Sequence, residues 1–315
     1  MQNPKTDIII ISYKNPELTI QCVESIRAGS NVEYNLIIVD NNSADDTVEI
    51  LNCKLTNILI IENKKNLGYA SAVNIGLTNS TSEYVLISNN DVIYPKSTID
   101  CMFEFLKSDN KIGVAGAQQL YPDGKWQWSW GYCPGIKLGL INLFLIGLII
   151  KHLDKLQLKK PTNTRQTREV GFIDGAAMFC RRSALNEVSG FDEDYFFYTE
   201  EADLCYKLKQ RGWKIIFNPQ YQITHIRGGS NNQGNFKEEN IRALVNSKIK
   251  FCKKHLNDCN SKIYIMLEKI YSFKLWIVYS ILSKLSYGNT SKGMNTKSDV
   301  MKNFYLSWKQ IKSKK

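Results

Sequence analysis

Residues Tyr84–Pro95 read Tyr-Val-Leu-Ile-Ser-Asn-Asn-Asp-Val-Ile-Tyr-Pro, and the fold turns on them. The apolar run Tyr84–Ile87, closed by turn formers, suits a central strand of a parallel sheet buried on both faces. Ser88, Asn89, Asn90 and Asp91 follow, at the strand end where open α/β sheets keep their ligands. Asp91 is the only acid in the stretch and stands among neutral oxygen donors, a setting that suits a hard divalent cation with phosphate partners. Taken alone, such an ending reads more readily as a plain turn. The units around it decide.

Upstream, Asp7–Ile11, Tyr34–Val39 and Ile58–Ile61 are three more short apolar runs. Pro16 opens a helical pattern through Leu18, Cys22 and Ile26. Ser43 with Asp45 and Asp46 is expected to cap a helix carrying Val48 and Leu51. A third helix is expected over Ser71–Leu77. Strand and helix alternate roughly every 25–35 residues, the rhythm of right-handed βαβ units. The expectation is an α/β protein with a mostly parallel sheet. The strands end in Ser12-Tyr13, Asp40-Asn41, Asn66-Leu67-Gly68 and Asn90-Asp91, four polar clusters along one edge. A nucleotide site is the economical reading, although neither GxGxxG nor GxxxxGK[ST] occurs.

Downstream, Thr98–Leu106 reads as an amphipathic helix and Ile112–Leu120 as a strand. Trp126, Trp128 and Trp130 alternate, as an exposed aromatic patch or a β-ribbon would. Ile136–Ile150 is almost wholly apolar, and lysines follow it. It is too short to span a bilayer, which takes about 20 residues, so a buried helix and a helix in the membrane interface both remain open. Gly171–Phe179 returns to a strand, Thr199 reads as an N-cap, and Glu200–Arg211 reads as a helix stopped by Gly212. Trp213–Phe217 and Gln222–His225 are the last strands. Beyond Gly234, Phe236–Lys254 and Ile263–Leu285 read as helices, Ser286–Ser298 as a polar linker and Met301–Lys315 as a basic end.

The formal net charge of the 315 residues is +11, and Met301–Lys315 holds five lysines and no acid. A basic balance suits nucleic acid, an anionic membrane or phosphate-rich substrates. No nucleic-acid signature accompanies it, so no nucleic-acid partner is expected. Eight cysteines are scattered without CxxC spacing, as buried thiols of a reducing compartment would be. With no signal peptide visible, the expected location is cytoplasmic.

These motifs, in this order, resemble the inverting glycosyltransferases of family 2, in the branch of rhamnosyltransferases and other makers of bacterial surface polysaccharide. The matching pieces are Ile8–Asn15, Ile37–Ser43, Asn66–Leu77, Val85–Val92, Gly175–Leu185 and Gly190–Trp213, with His225 and Gly228-Gly229-Ser230 after them. The resemblance implies a GT-A fold over residues 1–232, with a nucleotide-binding half at 1–95 and an acceptor half at 110–232 that carries the apolar insertion 136–150. A basic helical extension would occupy 233–315.

It also implies transfer of a sugar from a nucleoside-diphosphate donor, dTDP-rhamnose by the branch, to a glycan or lipid-linked acceptor at the inner face of the cell membrane. That chemistry calls for a divalent cation, Mn²⁺ or Mg²⁺, on the departing diphosphate and a carboxylate base for the acceptor hydroxyl. Carried onto this chain, Asp91 and His225 are the metal ligands, and Asn89 stands where the family has its first acid. Ser12, Tyr13, Asp40, Asn66, Gly68 and Asn90 would hold the nucleotide, and Val73 replaces an arginine that many relatives place near the diphosphate. Glu201 is the base, with Glu200 as the lesser candidate. The bland reading is that both only favour a helix N-terminus. Asp174 and Gly175 would line the acceptor side. The competing reading is a nucleotide-sugar-binding module with a degenerate site.

Overall fold

Every residue of the first strand, β1 (Thr6–Ser12), is buried, because helices cover both faces of the sheet. The computed structural model describes residues 6–226, 237–286 and 288–310. In chain order there follow α1 (Pro16–Gly29), β2 (Tyr34–Asp40), α2 (Thr47–Lys54), β3 (Leu59–Glu62), α3 (Tyr69–Thr78), β4 (Tyr84–Asn89), β5 (Val92–Ile93) and α4 (Thr98–Ser108). The middle of the chain holds β6 (Ile112–Leu120), β7 (Trp130–Gly131), α5 (Ile136–Leu143), α6 (Ile146–Leu158), β8 (Arg168–Glu169), β9 (Phe172–Ile173), β10 (Ala177–Arg181) and α7 (Arg182–Glu187). The last elements are α8 (Glu200–Gln210), β11 (Lys214–His225), α9 (Glu238–His255), α10 (Asp258–Leu285) and α11 (Gly288–Lys309).

The large sheet runs β3-β2-β1-β4-β10-β6-β11-β5, with β8 beside β11. Strands β3, β2, β1 and β4 are parallel, β10 runs against β4 and β6, and β11 runs with β6. Ile8 and Ile10 join Val23, Ile26, Met102 and Phe103 in one core, on the face covered by α1 and α4. Ile9 and Val39 point to the other face, against Gly76 of α3. A period of two with both faces filled gives the continuous apolar runs of a parallel sheet.

Internal contacts divide the chain into two units. One comprises Met1–Tyr132, Leu153–Phe196 and Glu200–Gln233; the other comprises Cys133–His152, Phe197–Thr199 and Gly234–Lys315. The first holds the sheet. The second has its own core of Ile241, Val245, Cys252, Tyr264 and Trp308.

Several expectations need correction. The tryptophans form no exposed patch: Trp126 and Trp130 are buried, and β7 pairs antiparallel with β9, so the ribbon reading holds. The indole N–H of Trp130 donates to Asp154, 3.1 Å away, and the Arg168 guanidinium lies over its ring. Ile136–Ile150 is not one helix but parts of α5 and α6, bent by 84° about a short break. Among the described residues no single helix is long and apolar enough to cross a membrane. The polar stretch at 288–298 is helical, the first half of α11, because Ser291 and Ser298 hydrogen-bond to Ser283 and Ser280 of α10. Ser43 caps no helix; it donates to Asp40, and Asp45 accepts from Thr47 N. Thr199 sits at φ 75°, not in the extended backbone of a capping residue. The two last strands are one, β11, whose register shifts between Asn218 and Gln222, where Pro219 lacks a ladder donor. Gly228-Gly229-Ser230 and the boundary expected at 232/233 lie outside the described residues.

Candidate active site

The topology collects the candidate residues at one edge of the sheet. Ser12 pairs with Asp40, Ile11 with Asn89, Ala177 with Ser88, and Thr224 with Leu120. The ends of β1, β2, β4, β6 and β11 and the start of β10 therefore meet along the same border. Ligands of open α/β sheets bind there.

On the donor side, the Asp40 carboxylate is buried and accepts from the backbone N–H and hydroxyl of Ser43. Asn41, read in the sequence only as part of the Asp40-Asn41 cluster, organises the loop beyond β3. Its amide donates to Asn66 Oδ1 and to the Gly68 carbonyl, both at 3.1 Å, and its oxygen accepts from Leu67 N and Asn63. Gly68 has φ 81°, and a Cβ there would lie 2.3 Å from the carbonyl oxygen of Phe196. Only glycine fits both restrictions. Two other candidates turn inward. The Ser12 hydroxyl is fully buried against Thr19 Oγ1, and the Asn90 amide donates to Thr19 Oγ1 and the Lys14 carbonyl. Tyr13 is half-buried and Asn66 exposed. Val73 is buried in the core.

Asp91 and His225 meet, with His225 Nε2 3.3 Å from Asp91 Oδ1. Nδ1 of the same ring faces Gln119 Oε1 at 2.9 Å and Gln127 Oε1 at 2.8 Å. Each glutamine already uses its amide nitrogen elsewhere, on Asp174 and on the His225 carbonyl. Both therefore present oxygen to the ring, and Nδ1 must carry a hydrogen to donate. The Nε2 lone pair then points at a carboxylate oxygen, a contact that only a proton or a cation between them relieves. This donor set fits a divalent cation that takes its remaining ligands from phosphate and water. Among the described residues, no group of three or more His, Cys, Asp or Glu forms a metal site; this pair is a foothold. Gln119 and Gln127 escaped notice in the sequence. The signal was there, a glutamine pair ending an apolar strand and a glutamine between two tryptophans.

On the opposite side of β4, the backbone N–H of Gly175 donates to Glu201 Oε1 at 3.3 Å, and the Gly175 carbonyl accepts from the Tyr69 hydroxyl at 2.6 Å. A Cβ on Gly175 would sit 2.7 Å from Glu201 Oε1. Glycine lets the carboxylate come that close. Asp174 Oδ1 accepts from Gln119 Nε2 and Ala176 N, which joins this cluster to the histidine clamp. Burial, reinforced by the nearby Glu201, Glu200 and Asp174 carboxylates, pushes the Tyr69 phenol well above its ordinary pKa. It remains a donor. Glu200 is 2% exposed while Glu201 is only half-buried, so of the two only Glu201 is open to a substrate. Both begin α8, where the helix dipole favours their charge.

The family model described as glycosyl transferase family 2 matches residues 7–189, and that of glycosyl transferase family group 2 matches 160–284. The chain belongs to glycosyl transferase family 2. Among similar proteins, the N-acetylglucosaminyl-diphospho-decaprenol L-rhamnosyltransferase of Mycobacterium tuberculosis is 24% identical over 71% of this chain and 76% of its own length. The poly-beta-1,6-N-acetyl-D-glucosamine synthase of Staphylococcus aureus is 24% identical over 67% of this chain and 47% of its own. A mannosyltransferase from Pyrobaculum calidifontis, solved with GDP-Man and Mn²⁺, superposes with a TM-score of 0.62 at 13% identity over 97% of this chain and 86% of its own. GalNAc-T7, solved with UDP, GalNAc and Mn²⁺, gives 0.59 at 12% identity over 98% of this chain and 57% of its own. The fold of this family 2 glycosyltransferase is thus GT-A, with the helices α9–α11 following the sheet domain.

Proposed function

We propose that this family 2 glycosyltransferase moves a sugar, with inversion, from a nucleoside-diphosphate donor to a hydroxyl of a lipid-linked glycan during surface-polysaccharide synthesis. The mycobacterial relative's name points to rhamnose, hence to dTDP-rhamnose as donor and a polyprenyl-diphosphate glycan as acceptor. The expected place of action is the inner face of the cell membrane. The observation that carries the reading is the half-buried Glu201 carboxylate, held by the Gly175 N–H at the same sheet edge as Asp40 and the Asp91–His225 pair.

In the proposed reaction Glu201 takes the proton of the acceptor hydroxyl as its oxygen bonds to the anomeric carbon. The bond from that carbon to the donor phosphate breaks on the opposite face, and its electron pair leaves with the diphosphate. No covalent intermediate on the protein is required, so one base suffices. Asp40 and the Asn41-held loop Asn66–Gly68 would orient the nucleoside, with Ser12 and Asn90 shaping the loop beneath it and Tyr13 beside it. Asp91 and His225 would hold a divalent cation, which when bound neutralises charge on the diphosphate. Asp174 and Gly175 would border the acceptor.

The test is transfer from a panel of nucleotide sugars with Mn²⁺ or Mg²⁺, wild type beside Glu201→Gln. Turnover of one donor should fall by about 10²–10⁴-fold in the variant, while nucleotide binding persists. Asn89 and Val73, where relatives have an acid and an arginine, favour the alternative of a non-catalytic nucleotide-sugar-binding module. Nucleotide binding by wild type with no donor turned over, acceptor glycans supplied, would establish that alternative.

A further inference from the structure

Scattered apolar side chains on a surface need no explanation, but those of α10 are ordered. Met266, Ile270, Phe273, Ile277 and Ile281 are exposed, and steps of four, three, four and four place them on one helix face. The opposite face is already used, with Tyr264, Leu267, Ser272 and Leu275 buried. A second apolar group stands at the elbow between α5 and α6. Leu145 there has φ 57°, a conformation that costs a leucine energy. Around it Phe144, Leu148 and Ile149 are 67%, 63% and 60% exposed. The elbow is fastened to α10 within the second unit. Asn142 donates to Glu268 at 2.7 Å, and the Lys274 ammonium to the Leu143 carbonyl at 3.4 Å.

Charge says what covers this surface. No acid occurs from Gly124 to Leu153. On α10 the acids are Asp258, at its first residue, and Glu268, which is buried, while Lys262, Lys274 and Lys284 are exposed. On α11 four lysines stand against one acid, Asp299; Lys297 and Lys302 lie over the rings of Tyr279 and Trp276. Aromatic rings and lysines beside an apolar face are what the boundary of a bilayer selects. A second copy docking by two-fold symmetry would bring the same lysines together, whereas an anionic leaflet complements them. The eight residues of α5 extend about 12 Å, enough to enter one leaflet and too little to cross about 30 Å of hydrocarbon.

We propose that the Phe144–Ile149 elbow and the Met266–Ile281 face of α10 insert into one leaflet of an anionic lipid bilayer, with the lysines at the headgroups. The surface needs neither donor nor base, so its test is separate from that of the reaction.

The experiment is co-sedimentation of the full chain with vesicles of phosphatidylcholine alone or mixed with phosphatidylglycerol. Binding is expected to the mixed vesicles and to weaken with salt. The double variant Phe144→Glu, Leu148→Glu should lose about tenfold or more in affinity, and Lys262→Gln or Lys284→Gln about fivefold each. Circular dichroism checks that each variant is folded, and Glu201→Gln should bind as wild type does. Failure of folded wild type to bind either vesicle, or binding that the elbow substitutions leave unchanged, overturns the proposal. So does a wild-type dimer in sedimentation that those substitutions dissolve, since a second copy would then be the occupant.

Discussion

One residue, Gly175, links the phenol of Tyr69 to the carboxylate of Glu201, accepting from the first through its carbonyl and donating to the second through its N–H. Tyr69 touches no expected substrate position, so its role is to position. Tyr69→Phe removes the donor to a buried carbonyl and frees the turn that carries Glu201's partner. We expect kcat to fall by about 10- to 100-fold while the donor KM stays within about twofold. Steady-state kinetics separates the two parameters; a rise in KM at unchanged kcat would instead assign Tyr69 to ground-state binding. At this scale the sequence was legible in part. Asp91 stood out as the one acid at a strand end, whereas His225 and Glu201 came forward through the family resemblance. Tyr69, Gln119 and Gln127 did not, because their importance lies in partners from distant segments. Ser12 and Asn90 read as ligand groups only because the sequence does not show that Thr19 engages both of them.

Among the elements, β1 and β4 were legible because a strand covered on both faces is an apolar run, and β3, half-exposed at the sheet edge, because it is short and apolar. The helices of the second unit were harder to bound. Gly288-Asn289-Thr290-Ser291 has the composition of a linker, and its helicity depends on serine contacts to α10 that no local pattern encodes. The joint between α4 and the segment before β2 gives a prediction at this scale. The Asp100 carboxylate accepts from Ser30 Oγ at 2.6 Å and from Asn31 N at 2.9 Å. Burial opposes its charge, but these hydrogen bonds together hold its pKa below the usual value. A depressed folded pKa means that the stabilisation is present above the unfolded pKa, near 4, and fades as pH falls through the folded value. Asp100→Asn should therefore cost about 1–2 kcal/mol at neutral pH. Melting temperatures of variant and wild type should converge below about pH 4, and a gap that persists in acid would contradict the charge argument.

For the whole molecule, two units mean two sources of stability. Trp308 is fully buried in the second, edge-on to Tyr264 at 6.0 Å between ring centres. Trp308→Ala should cost about 3–5 kcal/mol, read by calorimetry as a downward move of the transition that melts α9–α11. A thermogram identical to wild type would show that this helix end contributes no packing. The net charge of +11 had several readings in the sequence. The fold narrows them by placing lysines beside exposed apolar side chains on α10 and around the elbow.

The fit of Gly68 against Phe196 reaches beyond stability. The carbonyl of Phe196 accepts from Tyr69 N at 3.0 Å and leaves no room for a side chain on Gly68, so the Asn66–Gly68 loop and the aromatic segment before α8 share one backbone joint. Under the proposed reaction, whatever settles the first loop also sets the second. The kinetic consequence expected of that coupling is an order of addition, donor first and acceptor second, which product-inhibition patterns would check.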